Sequence, residues 1–184
     1  RCGLPLTAGA ACSDCVQRRW DIDGIRSPFR FEGLVRHAVH HLKYRNLKLM
    51  ARPLARLLAS YMESEALAGQ VVVPVPMHPR RLRERGYNQS ELLVREFSRE
   101  TGLLLANVLY RSRLAPPQAR AASAQDRRQN VAGAFGCHGC DVAGRHVILI
   151  DDVCTTGATL DSCALALKEA GAASVWGLTV AREL

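Results

Sequence analysis

Apolar positions along the chain change period several times, and each change marks an element. From Phe31 the spacing is helical, with Leu34, Val35, Ala38, Val39 and Leu42 on one stripe; Pro53 opens a second helix carrying Leu54, Leu57, Leu58 and Tyr61, which Gly69 closes. Val71-Val72-Val73-Pro74-Val75 is short, wholly apolar and rich in β-branched residues, as expected of a strand buried on both faces of a parallel sheet. A basic loop follows from Pro76 to Gly86. Asn88 or Ser90 then caps a helix whose Leu92, Leu93 and Phe97 face inward and whose stop is Gly102. Leu104 to Tyr110 reads as a second strand, and Ser112 to Ser123 as a loop containing Pro116-Pro117. The last quarter is a βαβ unit: strand Val147 to Ile150, a loop from Asp151 to Gly157, a helix with Leu160, Cys163, Ala164 and Leu167 at core spacing, Gly171 at its end, and strand Val175 to Val180. The expected fold class is therefore α/β, a mostly parallel sheet flanked by helices.

Residues 1–20 do not share this patterning. They hold three cysteines, with Pro and Gly at Gly3, Pro5 and Gly9, and no helical period, so they read as a small loop-built module in front of a main domain at 21–184. Cys12-Ser-Asp-Cys15 is a metal knuckle, and Cys2 lies ten residues earlier. Structural zinc needs four tetrahedral ligands, so Cys2, Cys12 and Cys15 make a partial zinc site one thiolate short. Two donors compete for the fourth place: a cysteine three residues upstream of Cys2, or the Cys137-His138-Gly139-Cys140 stretch. That stretch could equally form its own site or carry no metal. Seven cysteines is an odd count, which argues against a disulfide framework.

The composition, 184 residues with 48% apolar and 23% charged, fits one globular domain with an appendage and excludes a disordered or fibrous chain. No apolar run reaches the ~18 residues that span a bilayer, and no signal-like stretch opens the sequence, so a soluble cytoplasmic protein is expected. The net charge is +8, and only Lys43, Lys48 and Lys168 of the 25 basic residues are lysines, leaving 22 arginines. Guanidinium forks suit phosphate, yet genomic base composition also enriches arginine and alanine together. Only clustering separates the two readings.

One cluster is Arg80, Arg81, Arg83 and Arg85, on the loop expected at the carboxyl edge of the first strand, beside the polar side chains of Tyr87, Asn88 and Gln89. A second anion, such as a pyrophosphate, finds partners there. Arg111, Arg113, Arg120, Arg127 and Arg128 flank a further loop expected to close over the site.

The most informative segment is Val147-Ile-Leu-Ile-Asp-Asp-Val-Cys-Thr-Thr-Gly-Ala-Thr159. Ligands of open α/β sheets sit beyond the carboxyl ends of the strands, and two adjacent carboxylates, Asp151 and Asp152, emerge there to hold vicinal hydroxyls or a hydrated magnesium ion. Thr155, Thr156, Gly157, Ala158 and Thr159 lead into a helix, so backbone N–H groups, the helix dipole and threonine hydroxyls converge on one anion. A ribose 5-phosphate satisfies both halves. A Walker B reading fails because the chain contains no Gly-Lys pair for a P-loop. Cys154, at the start of the helix turn, is expected to have a mildly acidified thiol.

This segment resembles the phosphoribosyl pyrophosphate (PRPP) signature of type I phosphoribosyltransferases. The block from Val73 to Gln89, with Pro74-Val75-Pro76, His78 and Arg85-Gly86-Tyr87-Asn88-Gln89, is similar to the ComF (GntX-like) family, as are His41-Leu-Lys43-Tyr44, Gln118, Arg127 with Asn130-Val131, Gly133-Ala-Phe135 and Val180-Ala-Arg182. The resemblance covers essentially the whole chain. It implies a type I phosphoribosyltransferase fold with an N-terminal four-cysteine zinc module (zinc-ribbon-like), catalytic Asp151 and Asp152 on the ribose hydroxyls, and a 5-phosphate held by residues 155–159. It further implies a pyrophosphate-side loop at Val75, Pro76 and Met77, supported by Arg83 and Arg85. PRPP with Mg2+, structural Zn2+, and a role in DNA uptake follow as expectations. So does an alternative: a non-catalytic factor that binds single-stranded DNA beside DNA-uptake proteins.

Overall fold

Strands β1 (Gly24–Arg26), β2 (Phe29–Arg30), β3 (Val71–Pro74), β4 (Leu104–Leu105), β7 (His146–Cys154) and β8 (Ser174–Arg182) form one sheet in the order β1-β8-β7-β3-β4, with β2 also on β8, and every pairing is parallel. A separate antiparallel pair joins β5 (Leu109–Arg111) to β6 (Phe135–Cys137). The helices are α1 (Ser13–Gln17), α2 (Gly33–Tyr44), α3 (Ala51–Ser64), α4 (Pro79–Arg85), α5 (Gln89–Thr101) and α6 (Ala158–Glu169). These elements come from a computed structural model that describes residues 1–4, 12–44, 48–111 and 133–184. The Ser112 to Ser123 loop and Arg113, Gln118, Arg120, Arg127, Arg128 and Asn130 lie outside the described residues.

Alternation along the strands divides the core in two. Val71, Val73, Val147, Leu149 and Val175 pack with Leu160, Cys163, Ala164 and Leu167 of α6 and with Trp20, Ile22 and Ile25. Val72, Ile148, Ile150, Leu178 and Val180 pack with Val39 and Leu42 of α2, Leu54 and Leu58 of α3, and Leu93 and Phe97 of α5. A parallel strand covered on both faces has no solvated side, which is why β3 and the first half of β7 read as unbroken apolar runs.

The structure revises several boundaries. Pro79 to Arg85 is a helix, not a loop: the His78 ring caps it by accepting from the Arg80 N–H at 3.2 Å, Pro79 sits in its first turn, and Gly86 closes it at φ +80°. Strand β7 runs through both aspartates to Cys154, paired with β8 as far as Arg182, so the turn begins only at Thr155. Leu104 to Tyr110 splits because the chain leaves the sheet after the Ala106 N–H bonds to the Val72 carbonyl, and then folds back against β6. The described part of residues 1–20 contains one short helix, and the three- and two-residue strands β1 and β2 are too brief to leave a period in the sequence. Leu34, read as part of an inward stripe, is 86% exposed. The Asn88 cap and the left-handed stop at Gly102 stand where the residue types put them.

Candidate functional site

Because β3 and β7 are parallel neighbours, their carboxyl ends open on the same edge, and a cleft of about 200 Å³ lies there. It is lined by Asp151, Asp152 and Thr159, by Val75, Pro76 and Met77 after β3, by Asn88, Gln89 and Ser90 at the start of α5, and by Lys43, His78, Arg81, Arg85 and Arg111. Thus the acidic strand end, the post-β3 segment and one end of the expected phosphate turn meet in one place. Arg83 is exposed on α4 and does not line the cleft; Arg81 and Arg85, four residues apart on one helix face, do.

A chain of hydrogen bonds fixes the carboxylates. Asn88 donates from Nδ2 to the Val75 carbonyl at 3.0 Å and accepts at Oδ1 from the Ser90 N–H. Ser90 Oγ donates to Asp151 Oδ1 at 2.8 Å, and the Asp152 N–H donates to the same oxygen at 2.9 Å. Lys43 Nζ meets Asp152 Oδ1 at 3.0 Å, while Asp152 Oδ2 is buried with no partner. Burial, and then the neighbouring Asp152 charge, push the Asp151 carboxyl up to about 7.

Tyr87 and Gln89 have supporting contacts. The Tyr87 hydroxyl donates to the Leu42 carbonyl, which holds the end of α2 and hence Lys43 near the acids, and Arg85 donates to Gln89 Oε1 at 2.6 Å. His78 lies beside four arginines; burial and then the charges of Arg111, Arg81, Arg83 and Arg80 lower its pKa, which keeps it neutral and able to cap α4.

At the turn, Thr156 Oγ1 accepts from the Ala158 N–H at 3.4 Å and Gly157 opens α6 at φ +77°. A Cβ on Gly157 would stand 2.9 Å from Ile25 Cδ1 and 3.1 Å from Trp20 Cζ3, so the close approach here is by the protein's own core. Gly157→Ala is expected to cost about 1–2 kcal/mol from the left-handed backbone alone, read as a lower urea midpoint. The expectation for Cys154 is overturned: it ends β7, is 2% exposed, and burial pushes its thiol up to about 11, so it is not acidified. Cys163 is a core residue.

At the N-terminus, the sulfurs of Cys2, Cys12 and Cys15 lie within 4.8 Å of one another, with Cys2 and Cys12 Sγ 3.5 Å apart. Among the described residues, Cys137, His138 and Cys140 add no donor to this group; the His138 ring stacks on Tyr110 at 4.0 Å. Three converging thiols fit a thiophilic ion such as zinc.

Residues 85–182 match the phosphoribosyl transferase domain family. Nearly the whole chain is similar to Competence protein F of Haemophilus influenzae, 32% identical over 96% of this chain and 82% of that protein, and to DNA utilization protein YhgH of Escherichia coli strain K12, 31% identical over 95% and 79%. The chain belongs to this competence protein F family of phosphoribosyl transferase domain proteins. A solved structure, the glutamine PRPP amidotransferase from B. subtilis, aligns with 71% of this chain and 26% of its own at 22% identity and a TM-score of 0.48. Among the described residues no helix is long and apolar enough to cross a membrane.

Proposed function

We propose that the cleft binds PRPP and that the protein displaces pyrophosphate from C1 of its ribose. The observation that carries this reading is Asp152 Oδ2, a buried carboxylate oxygen with no partner, on a residue that lines a cleft whose other walls bring Lys43, Arg81, Arg85 and Arg111 together. Such an atom is costly to bury unless a ligand hydroxyl or cation meets it. Asp151 and Asp152 take the ribose hydroxyls. The backbone of 155–159 takes the 5-phosphate at the α6 N-terminus, and Val75, Pro76 and Met77 with Arg81 and Arg85 take the pyrophosphate. The bond from C1 to the pyrophosphate oxygen breaks with its electron pair leaving on pyrophosphate, while an acceptor nucleophile bonds to C1. The paired carboxylates face the positive charge that develops on the ribose. The same carboxylates fit a hydrated magnesium ion, which when bound neutralises pyrophosphate charge. Calorimetry with PRPP and magnesium is expected to give saturable one-to-one heat, and pyrophosphate release is expected to vanish in Asp151→Ala; no heat with the unaltered chain overturns the reading.

A zinc ion on Cys2, Cys12 and Cys15 is the second part of the proposal. Metal analysis is expected to find about one equivalent of zinc per chain, and a strong chelator to lower the thermal midpoint.

One observation favours a further role on nucleic acid: Arg80, Arg81 and Arg83 are exposed along α4 beside the cleft. The names of the relatives, Competence protein F and DNA utilization protein, support the reading that this surface meets single-stranded DNA and DNA-uptake proteins. Three phosphate contacts predict a slope of about −2 for log affinity against log salt, and Arg81→Ala with Arg83→Ala should reduce it by about 1.4. A slope near zero in the unaltered chain removes this reading and leaves the PRPP site untouched.

A further inference from the structure

Arg182, the last residue of β8, is 5% exposed and joins two parts of the molecule that the proposed function treats separately. Its Nη1 donates to the Cys2 carbonyl at 2.7 Å and to Cys154 Sγ at 2.7 Å, and its Nε is buried with no partner. Cys2 belongs to the three-sulfur cluster, and Cys154 immediately precedes the Thr155–Thr159 turn. The Cys154 carbonyl in turn accepts from the Glu183 N–H at 2.9 Å, so the strand end, the turn and the guanidinium are held as one unit.

A second set of contacts connects the same two regions. The Ile25 N–H donates to the Arg1 carbonyl at 2.8 Å, and Ile25 with Trp20 closes on Gly157 at the start of α6. In the first turn of α6, Asp161 Oδ1 accepts from the Asp21 and Ile22 N–H groups at 2.8 and 3.1 Å, and its other oxygen is ion-paired with Arg18. The segment that follows the cysteine knuckle therefore clamps the first turn of the helix whose amino end forms the phosphate turn.

The charges point the same way. The acceptors of Arg182 among the described residues are a carbonyl and a thiol, neither of which supplies a formal counter-charge, and a buried guanidinium is costly without one. A divalent ion held by three thiolates would carry a net −1, and one of those ligands, Cys2, is the residue whose carbonyl that guanidinium holds. Loading the cluster should therefore stabilise Arg182 in place, and with it the Cys154 end of β7.

From this arrangement we infer that Arg182 is a positioning residue that couples metal loading at Cys2, Cys12 and Cys15 to anion binding at Thr155–Thr159, so that zinc and a phosphorylated ribose bind cooperatively. The inference rests on the PRPP reading for the identity of the anion. Its mechanical half, that metal loading orders the turn, does not. The coupling is reciprocal: whatever factor zinc adds to ribose 5-phosphate affinity, ribose 5-phosphate adds to zinc affinity.

The test measures ribose 5-phosphate affinity with and without zinc, zinc affinity with and without ribose 5-phosphate, and amide hydrogen exchange of residues 153–160 in both metal states. Chelation is expected to weaken ribose 5-phosphate about tenfold and to speed exchange in 153–160 while leaving β3 protected, a coupling typical of linked sites. In Arg182→Met the two affinities should become independent of each other, with the metal still bound, and Arg182→Lys should restore part of the coupling; a merely structural role moves stability without abolishing this linkage. If Arg182→Met does not fold, the lysine variant and the unaltered chain carry the test. Should the unaltered chain bind ribose 5-phosphate equally with and without zinc, or exchange in 153–160 be indifferent to the metal, the inference is overturned. Failure of ribose 5-phosphate to bind in any metal state counts instead against the PRPP reading, and the exchange measurement alone then decides the coupling.

Discussion

Asp152→Asn is expected to weaken magnesium-dependent PRPP binding by about 100-fold, because a charged hydrogen-bonding oxygen in a buried site is worth roughly 1.5–3 kcal/mol and each 1.4 kcal/mol is a factor of ten. The substitution keeps the shape of the side chain. Lys43, 21% exposed, retains an amide oxygen to meet, so the ion pair becomes an ordinary hydrogen bond rather than a stranded cation. What changes is the charge on the unpartnered Oδ2. Stability is expected to shift by no more than about 1 kcal/mol, since loss of the Lys43 attraction is offset by relief of repulsion with Asp151. Calorimetry on both proteins, with a thermal melt to confirm folding, checks the pair of statements. An affinity within threefold of the unaltered protein would mean that the orphan oxygen meets no ligand.

How far the site was legible depends on how local its parts are. The acidic pair and the threonine-glycine turn lie within nine residues on a strand and the start of a helix, so residue types alone placed them at a strand's carboxyl end. Lys43 and Ser90, which meet Asp152 and Asp151, sit on α2 and α5; nothing local marks one lysine or one serine as the partner of a carboxylate far along the chain. The arginine cluster shows a subtler loss. Read as a loop, Arg80, Arg81, Arg83 and Arg85 are equivalent. As a helix they are sorted, Arg81 and Arg85 into the cleft and Arg80 onto Glu84 at 3.1 Å, and the signals for that helix, Pro79 and Gly86, were both present in the sequence.

The two cysteine patterns make the same point for metals. Cys12 to Cys15 and Cys137 to Cys140 have identical spacing, yet only the first meets a third sulfur, because Cys2 folds back onto it through the parallel edge strand β1 and the Arg182 contact. Spacing describes one knuckle; the topology decides whether a second arrives. Cys154 departs from the expectation of an acidified thiol for a related reason. Pairing with β8 continues past the aspartates, so the residue before the turn is buried in a strand.

Asp151 should make both stability and ligand binding depend on pH between about 4 and about 7. Its carboxyl titrates near 7 in the folded chain, against 3.8 as its ordinary value, because burial and then the Asp152 charge disfavour ionisation more than the hydrogen bonds from Ser90 and the Asp152 N–H and the charge of Lys43 favour it. With a folded value above the unfolded one, the native state binds the extra proton. The stabilising contribution is therefore complete below about pH 4 and is lost as pH rises to about 7, with a slope of on the order of 1 kcal/mol per pH unit from this group alone. Urea unfolding across that range should show the slope in the unaltered chain and not in Asp151→Asn; Asp152→Asn should shift its upper end downward by removing the neighbouring charge. Ligand binding runs the other way. A carboxylate that must be ionised to meet ribose hydroxyls or magnesium releases its proton on binding, so PRPP affinity should fall about fivefold between pH 7 and pH 6, and calorimetric heats at pH 6 should vary with the ionisation enthalpy of the buffer. Heats independent of the buffer at pH 6 would place the titration of Asp151 outside the binding step and leave Asp152 alone on the ligand.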